Sequence, residues 1–158
     1  MKHPFADLLA RFPDENAIRT HLAKLRWGNQ VQCPVCNSDD VLTSSTGYEC
    51  RACRRNRQRK SSSINTSLFT VMTGTYLEDT RSMKSLVLFL HVWLHFKQGA
   101  VTYRMARSTG MSHTNCIHHM NRVSERCGEA GVARGIKLDD ALKALLMKRT
   151  ATPTKMVA

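Results

Sequence analysis

Hydrophobic side chains recur every three or four residues near the start of the chain, which is the spacing of one face of an α-helix. Two such stretches lie at 5–12 and 17–25, and Pro13 separates them. Asp14 is well placed to cap the second helix, because its carboxylate can accept hydrogen bonds from the first backbone N–H groups. The pattern therefore predicts two short helices at the start of the chain.

The same periodicity returns in the second half of the chain. Helices are predicted over about 82–97, 101–108, 112–127 and 138–146. A break is expected at Gly99 and a turn at Gly110, and Ser112 is placed to cap the helix that follows it. His91 and His95 interrupt the longest apolar run, which is too short for the roughly 20 residues that a bilayer span needs. We therefore predict no membrane protein.

Between these two halves the helical pattern stops. Short β-prone pieces lie at 41–42 and 48–49, among paired cysteines and turn residues. Residues 54–67 are basic and Ser-rich with one aliphatic side chain, which predicts an exposed loop or linker. The predicted fold is therefore mainly α, with a small β segment that holds the paired cysteines.

Four of the six cysteines form two C-x-x-C pairs with 13 residues between the pairs. They are Cys33, Cys36, Cys50 and Cys53. This spacing is typical of a tetrahedral zinc site made by four thiolates. Asn37 directly follows the first pair and can adopt the left-handed conformation that such a turn needs. A closed set of four ligands leaves no position for water, so we predict one structural zinc ion.

Two other uses of these cysteines are disfavoured. Paired disulfides belong to oxidising compartments, and residues 1–5 lack the apolar segment of a secretory signal. A thioredoxin-like redox motif is expected within a βαβ pattern, which the chain does not show. The remaining Cys116 and Cys127 lie on one predicted helix and are interpreted as core positions. We expect a cytoplasmic, nucleoid-associated protein of bacterial or phage origin.

The net charge of the chain indicates which class of molecule it binds. The chain has 24 Lys and Arg against 12 Asp and Glu among its 158 residues, a formal net charge of +12. Such a balance favours a polyanion, because each cation brought to a phosphate displaces condensed counterions. Residues 51–60 carry six of these cations and no acid. This strip begins inside the second cysteine pair, so the ribbon is expected to hold its base in place.

A helix-turn-helix pattern follows in residues 101–127. Small and apolar residues occupy the positions where two such helices pack, at Met105, Ala106, Gly110, Met111, Cys116 and Met120. The first side chains of the second helix are predicted to face the major groove, where Asn can pair with adenine and Thr can meet a thymine methyl. Arg122 and Arg126 are expected to reach phosphates. The residues predicted to bind DNA are Arg51, Arg54, Arg55, Arg57, Arg59, Lys60, His113, Thr114, Asn115 and Arg122.

Taken together, residues 5–127 resemble the N-terminal part of zinc-ribbon DDE-type insertion-sequence transposases. The stretches that carry the resemblance are Phe12-Pro13-Asp14-Glu15, Leu25-Arg26-Trp27, the two cysteine pairs, Thr73-Gly74-Thr75 and 99–126. The resemblance implies an end-binding module made of a zinc ribbon and a helix-turn-helix with a three-helix core. In that family the module precedes a catalytic domain with an RNase H-like fold.

The catalytic part of the family pattern is missing from this sequence. DDE chemistry needs three carboxylates that converge on two metal ions. Only Asp139 and Asp140 are acidic among residues 132–158. We therefore expect no catalytic residues and no enzyme activity. The segment between Cys53 and Phe69 is also longer than the family pattern.

The sequence predicts five segments in all. They are an N-terminal helical segment at 1–28, a zinc ribbon at 29–60, a basic and Ser-rich linker at 61–80, a helix-turn-helix domain at 81–131, and a C-terminal amphipathic helix with its tail at 132–158. The predicted function is zinc-dependent binding of double-stranded DNA, in a transposase remnant or a regulator of transposition or transcription. The helix at 138–146 is either a homodimer interface or part of the core.

One alternative of another class stays open at this point. The ribbon and the C-terminal helix would bind a host protein such as RNA polymerase, and the positive charge would match an acidic protein surface. RNA binding is a weaker alternative, because Tyr48 is the only aromatic residue between Trp27 and Phe69, few for a platform that stacks bases.

Overall fold

The computed structural model describes residues 5–60, 67–96 and 98–147. This part of the chain is mainly helical and has one three-stranded antiparallel sheet. Its elements are α1 Ala6–Arg11, α2 Glu15–Trp27, β1 Val41–Thr43, β2 Tyr48–Cys50, α3 Arg51–Lys60, β3 Leu68–Phe69, α4 Met83–His95, α5 Gln98–Thr109, α6 His113–Glu129 and α7 Leu138–Leu145. None of the helices described here has the length and apolar character that a membrane span requires.

The predicted helix starts are confirmed by their caps. The side chain of Asp14 accepts a hydrogen bond from the backbone N–H of Ala17 at 2.8 Å. Ser82 and Ser112 cap α4 and α6 in the same way. Each cap satisfies one of the backbone donors that the first turn of a helix leaves without a partner.

Helix α4 forms the centre of the helical core. Nine of its 13 residues are buried, and it packs against α2, α6 and α7. Helix α7 also turns its apolar face inward, where Leu138, Ala141, Leu142, Leu145 and Leu146 are all buried. The amphipathic segment at 138–146 is therefore part of this chain's own core.

The helix break lies elsewhere than predicted. The chain leaves α4 at Phe96, and α5 already begins at Gln98, so Gly99 lies inside a helix. A glycine in a helix costs only about 1 kcal/mol relative to alanine, which packing elsewhere can offset.

Glu15 joins the start of α2 to the start of α4. Its carboxylate accepts hydrogen bonds from the Ser82 hydroxyl at 3.0 Å and from the backbone N–H groups of Met83 and Lys84 at 3.1 and 3.2 Å. A negative charge is stabilised at this position, because the free N–H groups give the helix start a partial positive charge. Glu15 thereby fixes two helices relative to each other.

Glu15→Gln is expected to lower the free energy of unfolding by about 2 kcal/mol, because the new NH₂ group faces backbone donors and the charge is lost. Urea denaturation of the zinc-loaded protein measures this change. Glu125→Gln is the matched control on the exposed side of α6, and we expect it to stay within about 0.5 kcal/mol of the parent. Equal midpoints for the two variants would contradict the capping role.

The sheet and its neighbours make a second, smaller core. Strand β2 lies in the middle, with Tyr48 opposite Thr43 of β1 and opposite Phe69 of β3. The rings of Tyr48 and Phe69 stack with their centroids 5.5 Å apart. The sequence predicted neither β3 nor the buried residues that follow it, so residues 67–80 differ from the linker predicted over 61–80. Residues 61–66 of that linker, and the tail from 150, lie outside the described residues.

The end of α2 joins the two cores. Trp27 packs against both clusters and meets the Phe69 ring edge-on at 6.1 Å. The neighbouring Arg26 stacks over Trp27 at 4.7 Å and donates hydrogen bonds to the carbonyl oxygens of Val71 and Thr73 at 2.6 and 2.9 Å. These contacts fix the sheet to the helical body.

Gly47 lies in the turn between β1 and β2, close to the backbone of Phe69 in β3. A Cβ atom at this position would lie 2.7 Å from the carbonyl oxygen of Phe69, and backbone atoms cannot move aside cheaply. We expect Gly47→Ala to lower the free energy of unfolding by about 1–3 kcal/mol.

Gly128→Ala is the matched control, because nothing lies within 4 Å of the added methyl group in α6. Alanine raises helix propensity, so this change should stabilise the chain by up to about 1 kcal/mol. Thermal melting of both variants measures the difference. Opposite shifts are expected, and a loss of the same size in both would refute the steric argument.

Candidate metal centre and nucleic-acid interface

The four paired cysteines converge at one point between the sheet and α3. Their sulfur atoms all lie within 4.8 Å of one another, and the separations of the Cys33–Cys53, Cys36–Cys50 and Cys36–Cys53 pairs are 3.8, 3.5 and 3.5 Å. Cys33, Cys50 and Cys53 are buried, whereas Cys36 is exposed. Cys33 and Cys36 flank a turn, whereas Cys50 ends β2 and Cys53 lies in the first turn of α3. The antiparallel β1–β2 hairpin returns the second pair to the first.

Tight backbone turns hold each pair in place. The backbone N–H of Val35 points to the Cys33 sulfur and that of Cys53 to the Cys50 sulfur, both at 3.4 Å. Asn37 has a φ of 58°, which confirms the left-handed conformation predicted for it. Its N–H donates to the Cys33 carbonyl at 2.8 Å and closes the first turn.

The thiols differ in their electrostatic surroundings. Burial raises the pKa of Cys50 and of Cys53 above the usual value for a thiol. A backbone hydrogen bond from Ser38 lowers the pKa of Cys36. Buried thiolates without a cation are costly, so the site favours the deprotonated form only when a metal neutralises the charge.

The donor set fits zinc. Bonds of about 2.3 Å in a tetrahedral arrangement place neighbouring sulfur atoms about 3.8 Å apart, close to the separations seen here. The four cysteines form a zinc-binding site, and Zn²⁺ is the cofactor of the ribbon. With all four positions taken by sulfur, the ion stabilises structure and has no open position for a substrate.

The basic strip after the second pair is helical. Residues 51–60 form α3, whereas the sequence predicted an exposed loop from residue 54 onwards. Arginine, lysine, glutamine and alanine favour helices, and Cys53 anchors the first turn at the metal site. The side chains of Arg57, Arg59 and Lys60 lie outside the described part of the structure.

The first three arginines of α3 are paired with acids of the ribbon. Arg51 and Arg55 approach the Asp40 carboxylate at 3.5 and 3.0 Å, and Arg54 approaches Glu49 at 3.5 Å. All three side chains are more than half exposed. Exposed pairs of this kind contribute at most about 1 kcal/mol, so a phosphate can compete for these guanidinium groups.

Helix α6 carries the other group of predicted residues. Its inward side is buried at Cys116, Met120, Val123 and Cys127, which confirms the core positions of both cysteines. Its opposite side carries the exposed polar side chains of Thr114, Asn115, His118, Asn121 and Arg122, called the exposed face of α6 below, and Glu125 follows them on the same side. Sequence reasoning missed His118 and Asn121, although their spacing of four and seven residues from Thr114 places all three on one side of a helix.

Two residues that were predicted to contact DNA form hydrogen bonds within the chain. The His113 ring lies 3.2 Å from the Thr102 hydroxyl, which joins the start of α6 to α5. Arg126 donates to the Thr80 hydroxyl at 2.7 Å and to the Glu78 carbonyl at 3.3 Å. Arg126 therefore holds a turn of this chain, whereas the sequence assigned it to phosphates.

Comparison with known families gives one match. Residues 13–56 match the family described as transposase zinc-ribbon domain. The matched segment includes α2, all four ligand cysteines and the first turns of α3. This confirms the resemblance to the zinc ribbon of insertion-sequence transposases. Neither the curated proteins nor the solved structures give a match.

Proposed function

We propose that this chain is a zinc-stabilised, non-enzymatic DNA-binding protein that regulates transposition or transcription. In this proposal α5 and α6 form a helix-turn-helix, and α6 enters the major groove. Positively charged side chains of the ribbon contact phosphates along the DNA backbone. Zinc acts indirectly, since it fixes the ribbon and the start of α3.

The packing of α5 on α6 supports the helix-turn-helix. The two helices are in contact, and Met105 of α5 is fully buried together with Cys116 and Met120 of α6. Gly110 lies between the helices with a φ of +69°, a conformation that glycine adopts without strain. Ser112 then caps α6, which leaves the first turn of that helix at the surface.

The exposed face of α6 is the observation that carries the proposal. It presents hydroxyl, amide, imidazole and guanidinium groups side by side on a helix whose other side is anchored in the core. These are the groups that read base edges and phosphates in a major groove. A net charge of +12 and the transposase zinc ribbon support nucleic acid as the partner.

The described residues contain one group of three or more potential metal ligands, and it is the cysteine site. Within this part of the chain the carboxylates therefore do not converge as two-metal phosphoryl transfer requires. The proposal assigns these residues a role in binding.

The adaptor alternative has one observation in its favour. Leu42 and Leu68 lie on the same side of the sheet, on either side of Glu49, and both are exposed. The second surface that the alternative needs is occupied, because the apolar face of α7 is buried in the core. A host protein would therefore bind through the ribbon alone.

Selection of random duplexes by the zinc-loaded protein tests the proposed function. An enriched motif that binds at least ten times more tightly than its scrambled version, at two salt concentrations, is the expected result. The symmetry of the motif also shows whether two copies bind. Equal affinities for the motif and its scrambled version, both of which fall steeply at higher salt, would contradict sequence-specific binding. A host protein that stays bound after nuclease treatment would favour the adaptor.

A further inference from the structure

A cavity lies beside α6, away from the ribbon residues that bind zinc. It measures about 760 Å³ and opens between the turn at 79–82, the first turns of α4 and the second half of α6. It is about half open to solvent and has room for a small organic ligand. Nothing in the proposed function uses it, apart from Arg122 at its edge.

One wall of the cavity is apolar and aromatic. Phe89 of α4 stacks on His119 of α6, with the ring centroids 5.1 Å apart and the planes inclined by 19°. Burial lowers the pKa of His119, and the nearby charges of Arg122 and His118 add to the effect. The ring is therefore neutral at pH 7 and offers a flat surface on which a second ring can stack.

The rim of the cavity is cationic. Arg81 and Arg122 both line it and are exposed, and neither makes a hydrogen bond or an ion pair within the described residues. Two guanidinium groups in one lining are suited to a phosphate, which can accept hydrogen bonds from both. Arg126, by contrast, is bonded to Thr80 and shapes the turn behind them.

Asp79 adds an acceptor to the same rim. Its φ of 66° is uncommon for a residue other than glycine, and asparagine and aspartate tolerate it best. A carboxylate in the same lining as two arginines disfavours a ligand that is anionic throughout. It favours a ligand that carries a donor such as an exocyclic amino group, as well as its negative charge.

We propose that this cavity binds a single nucleotide with an amino-bearing base. The base stacks on His119, its amino group donates to Asp79, and its phosphate lies between Arg81 and Arg122. A plain phosphate would leave the apolar wall unused, and an uncharged base would leave the arginines without a partner. The nucleotide comes from solution or from the end of a DNA strand, and the two sources differ in the test below.

Calorimetric titration of the zinc-loaded full chain with dCMP, dTMP and inorganic phosphate tests the proposal. At position 4 of the base dCMP has an amino group and dTMP a carbonyl, and dTMP also carries an N3–H and a 5-methyl group, so the Asp79→Asn variant below isolates the contribution of the amino group. We expect dCMP to bind at least fivefold more tightly than dTMP and more tightly than phosphate. Equal binding of all three ligands would overturn the role of the base.

Substitutions in the cavity show which residues contact the nucleotide. Arg81→Gln should weaken dCMP at least fivefold, while Arg104→Gln, an exposed arginine of α5 away from the cavity, should leave it unchanged. Asp79→Asn keeps a residue that tolerates the positive φ and should bring the ratio of dCMP to dTMP affinity close to one. An unchanged dCMP affinity in Arg81→Gln would overturn the site.

A 5′-phosphorylated single strand that begins with cytidine separates the two sources. Binding of this strand without binding of dCMP would assign the cavity to a strand end, and binding of dCMP without binding of the strand would assign it to free nucleotides. Failure of both ligands would overturn the proposal. None of these outcomes depends on duplex recognition, which Asn115→Ala tests separately.

Discussion

Replacing Cys50 by serine is expected to reduce the zinc content from one ion per chain to none and to unfold the ribbon. Its sulfur lies 3.5 Å from that of Cys36, and it is the last residue of β2, directly before α3. Structural zinc contributes about 10–16 kcal/mol of binding free energy in small zinc domains, which few other contacts match. Metal analysis together with amide exchange of residues 33–53 measures both effects.

The ribbon has little else to stabilise it. Its buried cluster consists of the three buried cysteines, Tyr48 and Phe69, with Trp27 alongside. Cys116→Ala is the matched control, because Cys116 is equally buried but lies in the helical core. This variant should keep one zinc ion and a protected ribbon. A Cys50→Ser protein that still binds one zinc ion as tightly as the parent would contradict the four-ligand site.

Asn115→Ala is expected to reduce the preference for the selected duplex over a scrambled one by roughly tenfold or more. A bidentate contact between an amide and adenine discriminates by about 1–3 kcal/mol, and Asn115 is exposed in the first turn of α6. Affinity for the scrambled duplex should not change. Fluorescence anisotropy with both duplexes measures the ratio.

Two variants serve as controls for this result. Asn16→Ala makes the same change on the exposed first turn of α2 and should leave the ratio unchanged. Arg55→Gln should weaken binding to both duplexes equally. It should also reduce the slope of log affinity against log salt concentration by about one. Equal losses for the two duplexes in Asn115→Ala would show that α6 does not read bases.

The sequence predicted most helices and the metal site well, because both depend on local patterns. Asp14, Ser82 and Ser112 cap the helices that follow them, as their side chains favour. The cysteine spacing was sufficient to identify all four ligands, since two tight turns and a hairpin determine where the sulfur atoms meet. Asn37 followed from the same turn geometry.

Features that depend on distant contacts were missed. Strand β3 has two residues and exists because Phe69 stacks on Tyr48. Glu15 caps a helix that begins 68 residues later, at Met83, which no local pattern indicates. The basic segment was expected to be a loop, although its own residues favour a helix once Cys53 fixes the first turn. The cavity at Arg81 likewise joins residues that are far apart in sequence.

The proposed function requires that the exposed face of α6 contacts DNA. An NMR titration of the zinc-loaded protein with the selected duplex shows whether it does, since every backbone amide reports its own surroundings. We expect the largest shifts at residues 113–122, smaller ones along α3, and none along α7. Large shifts confined to the ribbon, with residues 113–122 unchanged, would contradict it.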